Sequence, residues 1–397
     1  MGRAYSTLPA VNPQELIRPW LDATLGNGLR DVELFDVHTH TGQNDPDEMK
    51  ATLEELTEMI DSVGGRAVFF PMHEPDGYPE PNDRVLAEAE RSGGRLVPFC
   101  RVNPHDGAAA EARRALDAGA RGIKLHPRAE QFTLDHPAVG ELFEIAEERG
   151  VPILIHAGRG IPALGMHVVE HAERHAGANV ILAHAGICDL AWIWRSALEL
   201  PNLFFDTSWW NPADLITLFS LVPPGQVLYG SDAPYGRPVL SVTLCTRTAL
   251  QAGLNQEQIR SVLGGQTERL LNGEPAADMG PPSGKVEITA DLLLQRVTSS
   301  LAFAMAAGFM GIEERSAEAI SLAQLACEVG DDAPEADVCR SVLAALEVID
   351  ELGGPAELGR GKPALGALLM ALCVAWTPDV PLPAPPADAD VGERQHA

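Results

Sequence analysis

Two histidines stand one residue apart in FDVHTH, residues 35–40. In an extended strand residues i and i+2 face the same side, so His38 and His40 would point together and could share one cation. Other apolar runs close on ionisable residues as well. His73 and Glu74 follow RAVFFPM, Arg101 stands in RLVPFCRV, and Lys124 and His126 in GIKLH; His156 closes PILIHA, His184 NVILAHA and Asp232 QVLYGSD. Six of the 12 histidines (His38, His40, His73, His126, His156 and His184) fall at such ends, which make up a small part of the chain. Taken alone, any one of them reads as a hydrogen-bonded core residue. As a set at corresponding positions, imidazole and carboxylate donors suit a zinc-like divalent ion in an open site that leaves room for water. His38, His40, His156 and Asp232 are the expected ligands.

Eight apolar runs would carry these residues: 32–37, 66–72, 95–102, 122–126, 152–157, 179–185, 202–208 and 226–232. Between them lie segments such as PDEMKATLEELTEMIDSV and HPAVGELFEIAEERG, with apolar spacing near 3.6. Continuous apolar strands alternating with helices indicate a parallel sheet covered on both faces. Eight such units match a (β/α)8 TIM-type barrel, typically about 250 residues, whose active site gathers at the strands' C-terminal ends. A doubly wound sheet is the runner-up, but no GxGxxG turn follows the first strand. The expected organisation is an N-terminal helical extension (1–30), the barrel (31–275), a linker (276–284), an additional C-terminal α-helical domain (285–376) and a disordered Pro- and Asp-rich tail (377–397). The helical bundle has no histidine, and three roles are open to it: packing on the barrel, lidding it, or forming a homodimer.

At 397 residues the chain suits two domains. A net charge of −27 disfavours nucleic acid and anionic membranes as partners, leaving a small-molecule substrate. The six scattered cysteines form no CxxC pair and read as buried thiols of a reducing compartment. No secretory leader pattern opens the chain, and SLAFAMAAGFMG and ALGALLMALCVAW are short of the roughly 20 residues of a spanning helix. Both read as core helices, and a cytoplasmic location is expected.

HTH after the first run, GIKLHP on the fourth, ILIHAG on the fifth, ILAHAG on the sixth and YGSDAP on the eighth together resemble the amidohydrolase superfamily. They are most similar to the amidohydrolase-related branch that includes aminocarboxymuconate semialdehyde decarboxylase. GGQTERLL resembles that branch's closing helix, with Gln266 where asparagine is usual. The likeness covers roughly residues 30–275 and does not extend to the C-terminal helices. It implies that His38, His40, His156 and Asp232 bind a first metal and that His184 orients the substrate or ligates a second. It also implies Asp232 as the base that takes the proton from a water whose pKa the ion has brought to about 7. KLHP further resembles the KLYP of dihydroorotase, where the lysine is carbamylated and bridges two metals; one Zn2+ is expected here, or two if Lys124 is so modified.

Arg101, Arg128 and Arg159 follow strands and could pair with a substrate carboxylate, each with a rim ion pair as the plain alternative. Trp209 and Trp210 could wall a ring or acyl chain, and His126 could support the site. His136, His167, His171 and His175 read as exposed. The leading expectation is a metal-dependent hydrolase acting on an amide, lactone or ester. Non-oxidative decarboxylation of an aromatic or unsaturated acid is the alternative, and a silent barrel serving as a binding subunit the third.

Overall fold

The structure, a computed structural model, describes residues 12–26, 28–46, 48–284, 291–359 and 362–384. It divides into two compact units, Gly28–Thr289, and Met1–Asn27 together with Ala290–Ala397.

The first unit is a parallel α/β barrel. Its strands are β1 (Phe35–Thr41), β2 (Arg66–Pro71), β3 (Leu96–Pro98), β4 (Cys100–Arg101), β5 (Ile123–Leu125), β6 (Ile153–Ile155), β7 (Val180–Leu182), β8 (Leu203–Asp206) and β9 (Val227–Leu228). They pair in chain order, β1 to β3 and β4 to β9, every pair parallel. β3 and β4 are halves of one barrel strand broken at Phe99, whose N–H donates to Phe69 O at 2.9 Å. Closure comes from the backbone: Val37 N to Tyr229 O (2.9 Å), Asp232 N to His38 O (2.9 Å) and His40 N to Ala233 O (2.8 Å) join the last strand to the first.

Each strand alternates its side chains between the inside and the helices outside. Phe35, Val37, Val68, Phe70, Phe99, Leu154, Ile181, Phe204 and Leu228 fill the interior. Leu53, Leu56, Met59 and Ile60 of the helix Leu53–Asp61 cover Ala67, Phe69 and Leu96 from outside. That helix starts at a Thr52–Glu55 capping box, which satisfies two amide groups its first turn would otherwise leave open. β1 runs beyond the expected run 32–37, to Thr41, because β2 pairs with it as far as Thr41–Pro71. A register shift between Asp36 and Thr39 bends it there, the usual effect of a bulge beside a site. The expected linker lies against the barrel: Ala277 N donates to Gln266 Oε1 (3.1 Å), Gln258 Nε2 to Met279 O (2.9 Å) and Gly284 N to Ser220 O (3.0 Å).

The second unit is helical. The leading helix Pro13–Leu25 belongs to it, with Trp20 Nε1 donating to Ser341 Oγ at 2.9 Å. The four C-terminal patterns fold as Leu292–Phe309, Glu313–Ala326, Ala336–Glu351 and Leu365–Trp376. The last is its core, buried from Ala367 to Ala375. Leu292–Phe309 is not a core helix of that kind: it is long and apolar enough to cross a membrane, is 44% buried, and leaves Phe303 exposed beside Met310 just beyond its end. Residues 385–397 of the expected tail lie outside the described residues.

None of the four outlying histidines is exposed as expected: His136 and His167 are half-buried. His171 and His175 are buried, because the helix Leu164–Arg174 packs its last turns on Pro137–Arg149, with His171 stacked on Phe143 (4.3 Å) and His175 meeting Glu147 (3.2 Å).

A candidate metal centre at the barrel mouth

β1 delivers His38 and His40 to the C-terminal end of the barrel, where the residues after β9 deliver Asp232. Asp232 Oδ1 lies 3.2 Å from His38 Nε2 and 3.1 Å from His40 Nε2. Donor atoms of these three residues fall within 4.8 Å of one another, the one such convergence among the described residues. Both imidazoles are buried, while the Asp232 side chain keeps 24% of its surface open. Its backbone is left-handed (φ +60), a conformation non-glycine residues rarely adopt, and the closing hydrogen bond to His38 O helps hold it. Two imidazoles and a carboxylate suit a divalent cation.

His156 stands beside this trio, outside the convergence. Its Nδ1 meets His184 Nε2 at 2.9 Å, its ring stacks on His126 (3.7 Å), and its Nε2 is buried without a partner. Gly158 makes room for the ring, since a Cβ there would sit 2.5 Å from His156 Nε2. The protons follow from the partners. His184 Nδ1 lies 2.7 Å from Ser208 O, which can only accept, so Nδ1 carries the proton and Nε2 a lone pair. His156 Nδ1–H then donates to that lone pair, leaving His156 Nε2 free to ligate. Lys124 Nζ is fully buried, 3.2 Å from His38 Nε2 and 4.7 Å from the centre of the Phe70 ring. Burial brings its amine down to about 7.

Two site residues had not been singled out from the sequence. Asp206, at the end of β8, places Oδ2 2.7 Å from His38 Nδ1, and Ser208 Oγ donates to its Oδ1. The signal is present in NLFFDTS, where an aspartate closes an apolar run as Asp232 does. Backbone conformation was invisible: His184, Ala185 and Gly186 are all left-handed (φ +57, +57 and +59). At Gly186 a Cβ would meet the Phe205 ring at 2.9 Å.

Burial favours the neutral imidazole at His38, His40, His126 and His156, bringing His40 to about 3. Burial alone would raise Asp206, but the His38 ring and its hydrogen bond hold it at about 2. Asp232 is likewise held below the usual carboxylate range, against burial, by His38 and the His40 hydrogen bond. Asp36, buried beneath the site, is pushed up to about 7. A histidine kept neutral in the fold contributes stability above about pH 6.5 that is lost as pH falls below it. Asp36 acts oppositely between about 7 and 3.8, and the carboxylates of Asp206 and Asp232 stay ionised over this range. Four imidazoles outweigh one carboxyl, so the melting temperature of the chelator-treated protein is expected to fall between pH 7.5 and 5.0. A flat or rising profile in differential scanning fluorimetry would contradict this assignment.

The residues expected to meet substrate separate. Arg101 is buried, with Nη2 2.6 Å and Nε 3.2 Å from Glu130 Oε1 and Nη1 3.3 Å from Pro71 O, so its charge is already answered inside the barrel. Arg128 is exposed and lines a cavity of about 430 Å³ with Phe132, His136 and Ile161. Arg159 is exposed, its guanidinium 5.8 Å from the Trp209 ring, and Trp209 and Trp210 lie 5.2 Å apart. His126 is held under His156, its Nδ1 accepting from Ala129 N at 3.1 Å. A second cavity, about 370 Å³, is lined by His73, Glu74, Tyr78, Asp106 and Glu130.

Comparison with known proteins bears on the barrel and its family. No curated protein matches the sequence. Among solved structures, a Staphylococcus aureus protein assigned to the amidohydrolases superposes with a TM-score of 0.50 at 16% identity, over 60% of this chain and 99% of that one. A 5-carboxyvanillate decarboxylase of Novosphingobium aromaticivorans, solved with manganese and 4-hydroxy-3-methoxy-5-nitrobenzoic acid, gives 0.50 at 12% identity, over 62% of this chain and 97% of that one. At such identities the likeness speaks for the barrel fold. The profile of the amidohydrolase family matches residues 35–273, the whole run from β1 past the closing helix. This chain belongs to the amidohydrolase family, whose members are metal-dependent enzymes.

Proposed function

We propose that the protein is a hydrolase that adds water across an amide, lactone or ester of a small, carboxylate-bearing substrate. The observation that carries this reading is Asp232: a carboxylate within 3.2 Å of two buried imidazoles that is itself 24% open to solvent. His38, His40 and Asp232 would hold the cation, with the free Nε2 of His156 beside them. A bound divalent cation supplies Lewis-acid polarisation of the scissile carbonyl and lowers the pKa of water. The nitrogen-rich donor set favours zinc, one ion per chain; a second would require Lys124 as a carbamate, and metal analysis of the Lys124→Ala variant tests for it.

Asp232 takes the proton of the attacking water. His184, whose Nε2 lone pair accepts from His156 Nδ1–H, holds that ring in place and orients the substrate beside it. Arg128 and Arg159 pair with the substrate carboxylate, and Trp209 and Trp210 wall its apolar part. A cytoplasmic location is part of this reading, supported by six cysteines of which none forms a disulfide.

Decarboxylation of an aryl acid is the second reading, favoured by the placement of Arg159 next to two indoles, which suits a ring bearing a carboxylate. Turnover in heavy-oxygen water separates the two, with the zinc-loaded protein offered a panel of aryl lactones, N-acyl amino acids and hydroxybenzoates. Heavy oxygen in the product carboxylate is expected. Release of carbon dioxide with an unlabelled product would overturn the hydrolase reading.

A further inference from the structure

Asp206 joins His38, His184 and Ser208, yet it is not one of the converging donors. It is fully buried. Its Oδ2 accepts from His38 Nδ1 at 2.7 Å. Its Oδ1 accepts the backbone N–H of His184 (2.9 Å), that of Ser208 (2.9 Å) and the Ser208 hydroxyl. The same hydroxyl lies 3.2 Å from His38 Nδ1 and 3.0 Å from His184 Nδ1.

We propose that Asp206 is the positioning residue of this site, one carboxylate that fixes the tautomer of His38 and anchors the left-handed turn presenting His184. The two oxygens have separate tasks. With Oδ2 holding the Nδ1 proton, His38 must turn a lone pair outward from Nε2, toward Asp232 and the cation position. Three successive left-handed residues are a conformation L-amino acids avoid, and the turn at 184–186 begins on the amide that Oδ1 holds. A ligand and a substrate-facing histidine from different strands are thereby tied to one group, the outer partner that orients metal-binding imidazoles generally.

The tautomer argument gives a sharp variant. In Asp206→Asn two backbone amides demand the carboxamide oxygen, so the NH2 group must face His38 Nδ1. A donor there forces the proton onto Nε2, the wrong nitrogen for a ligand. The inference rests on the cation site, not on hydrolysis, and the test separates them. Nitrogen-15 spectra of histidine-labelled, metal-free protein report the tautomer directly, with His38→Ala assigning the signal. Competition with a chromogenic chelator reports zinc affinity.

His38 is expected as the Nδ1–H tautomer in the wild type and as Nε2–H in Asp206→Asn, with zinc binding weakened about 10- to 100-fold. Ser208→Ala, which leaves the Oδ2 contact in place, is expected to keep the wild-type tautomer. An Nε2–H wild-type His38 would overturn the proposal even if Asp206→Asn failed to fold. So would an Asp206→Asn chain with wild-type tautomer and affinity. If the wild type bound no zinc through His38, the cation site would fail instead, while the tautomer readout would still judge Asp206.

Discussion

His38→Ala is expected to lose its divalent cation and at least about a thousandfold in turnover while keeping its barrel. The cation is worth several kcal/mol of transition-state stabilisation, and each 1.36 kcal/mol is a factor of ten in rate. Residues of the fold around position 38 do not depend on the ring. The β1 backbone still pairs with β2 and with Ala233, Thr39 Oγ1 still donates to Val68 O (2.7 Å), and Phe35 and Val37 stay in the interior. Asp206 loses one hydrogen bond and retains those from Ser208 and the His184 amide. The cost in stability should stay within about 1–3 kcal/mol. Metal content by mass spectrometry, far-ultraviolet circular dichroism and turnover check this together. A variant that keeps a stoichiometric cation and its activity would remove His38 from the site.

Arg101→Met is expected to destabilise the barrel by about 3–5 kcal/mol, because it strands a buried carboxylate. For a unit of this size that is a fall in melting temperature of roughly 10 °C. Glu130 has two buried partners, Arg101 and the Tyr78 hydroxyl, both on Oε1, and its Oε2 has none. Adding Glu130→Gln removes the charge yet preserves an acceptor for Tyr78, so the double variant should recover much of the loss. Neighbouring groups that act as a unit are non-additive in this way. Were Arg101 a substrate-binding residue instead, the single variant would melt normally and show only a raised KM.

The contrast between these two residues shows what the sequence could reveal. His38 and His40 were legible because the i, i+2 rule of a strand is local, and because six histidines shared one kind of position. The eight strands were legible for a similar reason, each a short apolar run with its own turn. Arg101 was placed on the right strand, but its partner Glu130 lies in the loop after the next one, and nothing at position 101 names it. Partner choice between neighbouring strands is set by register, which a single sequence does not display. Asp206 was hidden differently. An aspartate between Phe205 and Thr207 ends a strand plainly enough, but only the parallel pairing of β7, β8 and β9 reveals that it reaches His38. Left-handed backbone at Ala185 leaves no mark in a residue type that seldom adopts it.

The helix Pro13–Leu25 belongs with the four helices of Leu292–Trp376, while the whole barrel is spelled out between them. That order matters on the ribosome. The first helix emerges early, yet the serine that receives its Trp20 is made some three hundred residues later. At about 5–20 residues per second, the barrel has time to close before the helical unit has all its parts. A nascent or truncated chain ending in the segment before Leu292 would therefore carry a finished barrel and an orphaned amphipathic helix, with Ile17, Trp20 and Leu21 lacking the neighbours that bury them in the full chain. Such a fragment is the form of this protein that chaperones and proteases would recognise first.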